Sequence, residues 1–304
     1  MTVNELRYAV AVAAELHFGR AAQKCFVSQP ALSLAIQKLE DELGVKLFER
    51  RKHEVIVTDI GERIIAQAQR ALEEVSAITD IARGGKDQLN GALRLGVIQT
   101  VGPYLLPELV AELRRCAPRM PLQIEENLTA NLEQLLARGA LDAVIVALPF
   151  APPGIETRPL FTEAFRVLVP QRHRLGKKSR VSADDLLGEP VLLLRAGHCF
   201  REHVLEACPG ISQADTGPLQ GNSLETIRNM VASGLGISVF PASAVTARHA
   251  HALCRAVPFA PPAPLRQIAL AWRKGFNRPA ALGAVAEAIA SLEIRGVTML
   301  RAKR

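Results

Sequence analysis

The stretch FGRAAQKCFVSQPALSLAIQKLEDELGVKLFER, residues 18–50, decides the fold of the N-terminal third of the chain. Ala21 and Ala22 open a short helical run to Cys25, a tight turn falls at Phe26 and Val27, and Ser28 then caps a helix whose first turn holds Pro30. Proline is tolerated there because the first-turn N–H groups have no helical partner. In that helix Leu32, Ile36, Leu39 and Leu43 form one stripe, while Gln29, Ser33 and Gln37 recur every fourth residue on another. The apolar stripe needs a core. The polar one suits base edges and phosphates, since a helix entering the major groove presents its N-terminal residues first.

Outward from this stretch, residues 4–16 have helical spacing at Leu6, Val10, Ala13 and Ala14. On the other side, residues 44–51 and the run Val55-Ile56-Val57 are predicted as a two-stranded wing. Arg50, Arg51 and Lys52 stand at its tip, in reach of phosphates or the minor groove. Residues 59–83 then form one long helix with apolar positions at Ile64/Ile65, Ala68, Leu72, Val75, Ile78 and Ile81/Ala82, spaced to pair with a copy of itself. Gly84-Gly85 is expected to end it.

Taken together, residues 18–50 resemble the DNA-binding signature of LysR-type transcriptional regulators, and the resemblance extends over nearly the whole chain. It implies an α+β multidomain protein. Residues 1–58 would be a winged helix–turn–helix, 59–90 a linker and dimerisation helix with a hinge, and 91–301 an α/β effector domain of periplasmic-binding-protein form. That domain would divide into subdomain I (91–161 and 267–301) and subdomain II (162–266). The resemblance brings Gln29, Ser33 and Gln37 toward bases, with Ser28, Arg50 and Arg51 nearer the backbone and Pro30 within the same DNA-binding set.

Composition agrees only loosely. The 304 residues carry a net charge of +7, which favours polyanion capture. Residues 1–90, however, hold 12 Lys+Arg against 13 Asp+Glu, and the excess, 25 against 17, lies in residues 91–304. Charge alone would place DNA binding in the wrong half. There is no membrane-length apolar run and no signal-like N-terminus, so a cytoplasmic location is expected. There an odd set of 5 cysteines argues against a structural disulfide framework.

Residues 91–301 alternate strand and helix: strands at 93–98, 122–126 and 143–147 with helices at 105–116 and 132–138, then strands at 167–170, 191–194 and 237–240 around a helix at 224–233. A strand at 268–272 and a helix at 279–294 return to the first set. This alternation predicts parallel sheet covered by helices, with a cleft between two subdomains. No metal, phosphate or nucleophile–base motif stands out, and no cofactor is expected; the spacing of His198, Cys199, His203 and Cys208 matches no common zinc module. Gly91, Gly234 and Gly236 are turn glycines.

Cys199 follows a strand and opens a helix, where the helix dipole favours thiolate, and Arg201 would add positive charge. The bland reading is a small buried hydrophobe. GHCFREHVLEAC (197–208) and SLETIRNMVASGLGISVFP (223–241) resemble the hydrogen-peroxide-sensing members of the same family. That resemblance implies Cys199 as the peroxide-reactive thiol and Cys208 as its disulfide partner. It also implies Thr100, Thr129, His198 and Arg201 as a peroxide pocket; viewed alone, Thr100 and Thr129 read equally well as helix caps. Cys25, Cys116 and Cys254 are expected to be packing residues, and Arg278 within reach of the cleft.

If the intervening segment is helical, the two Cα atoms stand about 13 Å apart, beyond the roughly 7 Å that a disulfide spans. Oxidation would then remodel the backbone.

The expected function is redox-responsive control of oxidative-stress promoters, as activator or repressor. Its partners would be double-stranded DNA, hydrogen peroxide, RNA polymerase and copies of this chain, as a homodimer or, by the resemblance, a homotetramer. Two alternatives are a LysR-type sensor of a small organic anion and a thiol peroxidase. The cysteine pair weighs against the first and the DNA reader against the second, so the chain is not expected to be an enzyme.

Overall fold

The computed structural model describes residues 1–51, 54–84, 87–211 and 220–300, and the chain divides into two compact units, Met1–Asp87 and Gln88–Arg304. The first holds α1 (Val3–Glu15), α2 (Phe18–Lys24), α3 (Gln29–Leu43), β1 (Phe48–Arg51), β2 (Glu54–Val57) and α4 (Asp59–Gly84).

Each of the three short helices has a side-chain cap. Thr2 and Glu5 form a reciprocal capping box on α1, His17 Nδ1 accepts from Gly19 and Arg20 on α2, and Ser28 Oγ accepts from Ala31 on α3. Such caps satisfy N–H groups that a helix leaves orphaned. The unit's core is Ala9, Val12, Phe18, Ala21, Ala22, Leu32, Ile36, Leu39, Leu47 and Phe48, with the Phe18 and Phe48 rings edge to face at 6.1 Å.

Two expected stripes are corrected. On α1 the core takes Ala9 and Val12, leaving Leu6, Val10 and Ala13 half-buried and Ala14 exposed. Small residues let α1 approach closely, so the buried line is narrower than an apolar periodicity implies. On α3 Leu43 is exposed, and the last buried position belongs to Glu40. Its carboxylate accepts from the backbone N–H of Leu47 (2.9 Å) and Phe48 (3.2 Å) and from Lys46 Nζ (2.9 Å). A buried acid thereby fastens the wing to the reading helix.

Thr58 Oγ1 accepts from Gly61 at the start of α4. Gly61 is needed because a Cβ there would lie 2.4 Å from the Leu47 carbonyl oxygen. Ile64 and Ile65 pack on the core and Ala68 is buried, whereas Val75 and Ile78 are exposed. α4 ends at Gly84, the first of the two glycines expected to end it; Gly85, Lys52 and the side chains of Ile81 and Ala82 lie outside the described residues.

The second unit contains β3 (Leu93–Ile98), α5 (Gly102–Cys116), β4 (Leu122–Asn127), α6 (Thr129–Ala137), β5 (Ala143–Ala147) and β6 (Ile155–Pro170). β7 (Leu193–Leu194), α7 (Cys199–Ala207), β8 (Gln220–Gly221), α8 (Leu224–Ala232), β9 (Ser238–Pro241) and β10 (Cys254–Pro258) follow. β11 (Leu265–Arg273), α9 (Pro279–Ser291) and β12 (Val297–Met299) complete it. The main sheet runs β10-β6-β11-β5-β3-β4, with β9 and β12 also on β6.

Only part of it is parallel. β3 pairs in parallel with β4 and β5, but β11 runs antiparallel to β5 and β6, as do β9, β10 and β12 to β6. The parallel expectation holds for β3, β4 and β5 but misses the first half of β6, where IETRPLFTEA interleaves five polar residues with apolar ones and is only partly covered, so it lacks the apolar run of a buried strand.

β6 connects two cores. Phe161 belongs to the first, built on β3, β5, β11, α5 and α9; Phe165 belongs to the second, with Val167, Val191, Leu224, Val239 and Phe259. Among the described residues, no helix is long and apolar enough to cross a membrane.

Removing the Glu40 acceptor leaves two buried N–H groups unmatched, each costing about 1–3 kcal/mol. Glu40→Ala in the full chain should accelerate amide hydrogen exchange over residues 45–57 by tenfold or more, while Asp41→Ala leaves it unchanged.

Candidate redox site and DNA-reading face

Gly197, at φ +99°, turns the chain into α7 in a backbone region closed to most side chains; a Cβ there would already touch Leu128 Cδ1 at 3.3 Å. The turn thus sets the start of α7 beside the start of α6. His198 occupies the N-cap of α7, and Cys199 is its first helical residue.

α7 has two apolar faces. Cys199 is half-buried and packs against the first core, whereas Phe200, Val204 and Cys208 are buried in the second. Nine residues at about 100° each amount to a half-turn beyond whole revolutions, which puts the two cysteines on opposite sides as well as roughly 13 Å apart. Both thiols are free. Burial pushes the Cys208 thiol up to about 11, so it is fully protonated at neutral pH.

Beside α7 lies a buried ion pair that sequence reasoning did not single out. Arg266, on β11, bonds Glu163 of β6 through Nε (2.9 Å) and Nη2 (2.8 Å), and both side chains are essentially inaccessible. The guanidinium also donates to Thr100 Oγ1 (2.8 Å) and to the Thr100 carbonyl (2.9 Å), and lies 4.9 Å from the Phe200 ring centroid. Glu163 Oε1 accepts from Ser243 N–H at 2.8 Å. The signal was legible in principle: Glu163 follows Leu160 and Phe161, Arg266 stands just before the apolar run 268–271, and a charge next to such core positions needs a partner.

Thr100 is therefore buried and tied to Arg266, not a helix cap. Nor does Thr129 cap a helix: it is the first residue of α6, after the N-cap Leu128, and its buried Oγ1 has no partner. A buried hydroxyl in that state is primed for a small polar ligand or a water.

His198 is buried and bonds the backbone of Asn222; burial lowers its pKa, so its imidazole is neutral at neutral pH. Arg201 differs from expectation. Its buried guanidinium donates to the Leu194 carbonyl (3.0 Å) and stands 3.9 Å from Glu202, which anchors α7 to β7 instead of leaving the charge free for a thiolate.

Two other expectations change. Of the three cysteines expected to pack, Cys116 is exposed at the end of α5, while Cys25 and Cys254 are half-buried, with thiols raised by burial. Arg278, expected within reach of a cleft, instead donates from its guanidinium to the carbonyls of Gln88, Gly91 and Ala92. A further network was not foreseen: Tyr104 Oη donates to Glu225 (3.0 Å), which pairs with Arg228, whose Nη groups bond the carbonyls of Ala244 and His249. It docks α5 onto α8.

In the first unit Ser28, Gln29, Pro30 and Gln37 are exposed and Ser33 is half-buried, on the side of α3 away from its core. Arg50 and Arg51 belong to β1, opposite Val55 and Glu54, and their side chains lie outside the described part of the structure.

Residues 3–62 match the family model of the bacterial regulatory helix–turn–helix protein of the lysR family, and residues 86–292 match the LysR substrate binding domain. The chain is 39% identical to a hydrogen peroxide-inducible genes activator of Pectobacterium carotovorum over 90% of this chain and 91% of that one. With the DNA-binding transcriptional dual regulator OxyR of Escherichia coli it shares 38% identity over 95% of each. Among solved structures, a full-length OxyR cysteine-to-aspartate variant from Pseudomonas aeruginosa is similar with TM-score 0.84 and 48% identity, covering 99% of both chains. A hydrogen peroxide-bound OxyR cysteine-to-serine variant from Corynebacterium glutamicum has TM-score 0.65 and 31% identity, over 95% of this chain and 91% of that one.

Two outcomes follow from the site's electrostatics. Glu163→Gln leaves the Arg266 charge unmatched and should cost about 3–5 kcal/mol in urea unfolding, whereas the double replacement by Arg266→Met and Glu163→Leu should cost less. Cys208 should resist iodoacetamide at pH 8 in native protein and react in denaturant, with Cys116 and Cys199 reacting first. Because its folded pKa lies above the unfolded value, the stability its protonated form contributes is intact below about pH 9 and is lost as pH rises toward 11.

Proposed function

The chain belongs to the LysR family of bacterial transcriptional regulators and is OxyR-like within it, and from that premise we propose that it senses hydrogen peroxide through Cys199 and reports the result on promoter DNA through α3. The observation that carries this reading is the placement of Cys199 and Cys208 on opposite faces of one helix, each held by a different core.

The Cys199 thiolate attacks one peroxide oxygen, the O–O bond breaks, and the departing hydroxide takes up a proton, giving a sulfenic acid and water. Thr100 and Thr129 flank the reacting oxygens, Thr129 with its unmatched Oγ1, and His198 and Arg201 fix the turn and helix that carry the sulfur. Condensation with the Cys208 thiol then forms the disulfide and releases a second water. The sulfurs cannot meet across an intact α7, so the helix unwinds and withdraws Cys208 from the second core. Shape change follows from chemistry. The order is also set, because a buried, protonated Cys208 is a poor nucleophile until α7 opens.

The working divisions are a DNA-binding domain (1–58), a linker (59–90) and a regulatory domain (91–301) whose subdomains exchange near residues 161 and 267. Gln29, Pro30, Ser33 and Gln37 approach bases, and Ser28, Arg50 and Arg51 the backbone. Exposed Val75 and Ile78 on α4 support pairing with a second copy, and a tetramer of such pairs is the proposed working state, in the cytoplasm with RNA polymerase as downstream partner. The protein acts as a switch rather than by turnover. An organic-anion sensor is disfavoured because the deep cation between the cores, Arg266, is already neutralised by Glu163.

Peroxide treatment of the full chain, followed by disulfide mapping and footprinting on a regulated promoter, tests the reading. Wild type should form the Cys199–Cys208 bond and shift its footprint; Cys199→Ser should do neither, and Cys208→Ser should stop at the sulfenic acid. A footprint shift that survives Cys199→Ser would overturn the assignment.

A further inference from the structure

We propose that His203 is the proton relay of the redox site, accepting the Cys199 proton at Nδ1 and returning it to the oxygen that leaves peroxide. This rests on the peroxide-sensor reading and gives a role in it to a residue that the pocket assignment did not include.

His203 lies four residues after Cys199 on α7, one turn along the same face, where side chains are neighbours. That face looks toward the first core: the imidazole bonds the backbone of Leu148, which itself packs on that core. The Leu148 N–H is taken by the Gln267 carbonyl, so the imidazole donates to the Leu148 carbonyl. The donor is Nε2, because Nδ1 is buried without a partner. The tautomer is thereby set, and the ring that carries the free Nδ1 lone pair is the i+4 neighbour of Cys199. Among the described residues, the two buried side-chain polar atoms without a partner are this nitrogen and Thr129 Oγ1. His203 is the i+4 neighbour of Cys199, and Thr129 opens α6 next to Leu128, whose Cδ1 a Cβ on Gly197 would meet at 3.3 Å. Two unmatched atoms of complementary type, one acceptor and one hydroxyl, mark where a small donor–acceptor molecule such as peroxide is held.

The charges around the ring favour the neutral form. Burial is the largest influence and Arg266 on β11 adds to it; Glu206 and Glu202 on α7 and the Leu148 carbonyl oppose them more weakly, and the net pKa is lowered. The ring is an available base at neutral pH. The proton inventory closes: the thiol proton moves to Nδ1, sulfur bonds to one oxygen as the O–O bond breaks, and the departing hydroxide recovers that proton as water. The products are Cys199 sulfenic acid and water.

The test uses the full-length chain carrying Cys208→Ser, so that only the first oxidation is read, with sulfenic acid at Cys199 trapped and quantified by peptide mass spectrometry between pH 5 and 8.5. His203→Gln keeps a donor toward Leu148 and removes the titrating acceptor; His203→Asn is the second variant should the first fold poorly. Oxidation at pH 7 should slow by about a hundredfold, the lower end of general acid–base assistance. The fall in rate below pH 6.5 caused by imidazole protonation should vanish in the variant. An unchanged rate and pH profile in folded His203→Gln would refute the relay while leaving the sensor reading intact. Absence of oxidation at Cys199 in the parent chain would instead refute the sensor reading itself.

Discussion

Everything distinctive in the second unit depends on α7 being shared by two cores. A nine-residue helix with apolar side chains on one side would commit to one lobe; here Cys199 leans on the first core while Phe200, Val204 and Cys208 fill the second. The division follows from helix geometry, because positions 200, 204 and 208 lie on one i, i+4 line and positions 199 and 203 on the next. Cys199 is thereby placed at a seam, and the buried Cys208 sulfur stays out of its reach by the rotation of the helix that separates them.

The Arg266–Glu163 pair gives that seam its electrostatics. A buried pair contributes little net stability compared with an apolar replacement, but it specifies geometry, since each charge must find its mate. Through it β6, β11, the Thr100 turn and the Phe200 ring share one arrangement. Arg201, by contrast, serves α7 through the Leu194 carbonyl. The charge nearest in sequence to the cysteine is structural, and the charge that shapes the site comes from a strand 67 positions later in the chain.

This explains what could be read from residues alone. Local signals succeeded: Ser28 and Pro30 mark the start of α3, 93–98 and 143–147 coincide with β3 and β5, and Cys199 opens α7. Stripes failed where a polar residue took an inward position, as Glu40 did at the expense of Leu43, since periodicity counts apolar residues and not the backbone donors that an acid can satisfy. Long-range partners failed too. Nothing local in RQIAL tells that Arg266 meets Glu163, and nothing in HCFREH tells that His203 keeps an unmatched nitrogen; both depend on strands brought alongside by the sheet.

The same architecture sets the energetics of the proposed switch. Unwinding α7 exposes Phe200 and Val204, whose burial is worth about 1.5–3 kcal/mol each. A penalty of about 3–6 kcal/mol paid only by the oxidised form makes its disulfide easier to reduce, by about 60–130 mV for a two-electron couple. The reduced helix is thus the spring and the second core its tension. A more tightly packed second core would demand a stronger oxidant and reset more readily, whereas a looser one would let the disulfide persist. In the proposed switch, packing of the second core around Phe165, Phe200 and Phe240 therefore sets how readily the disulfide is reset.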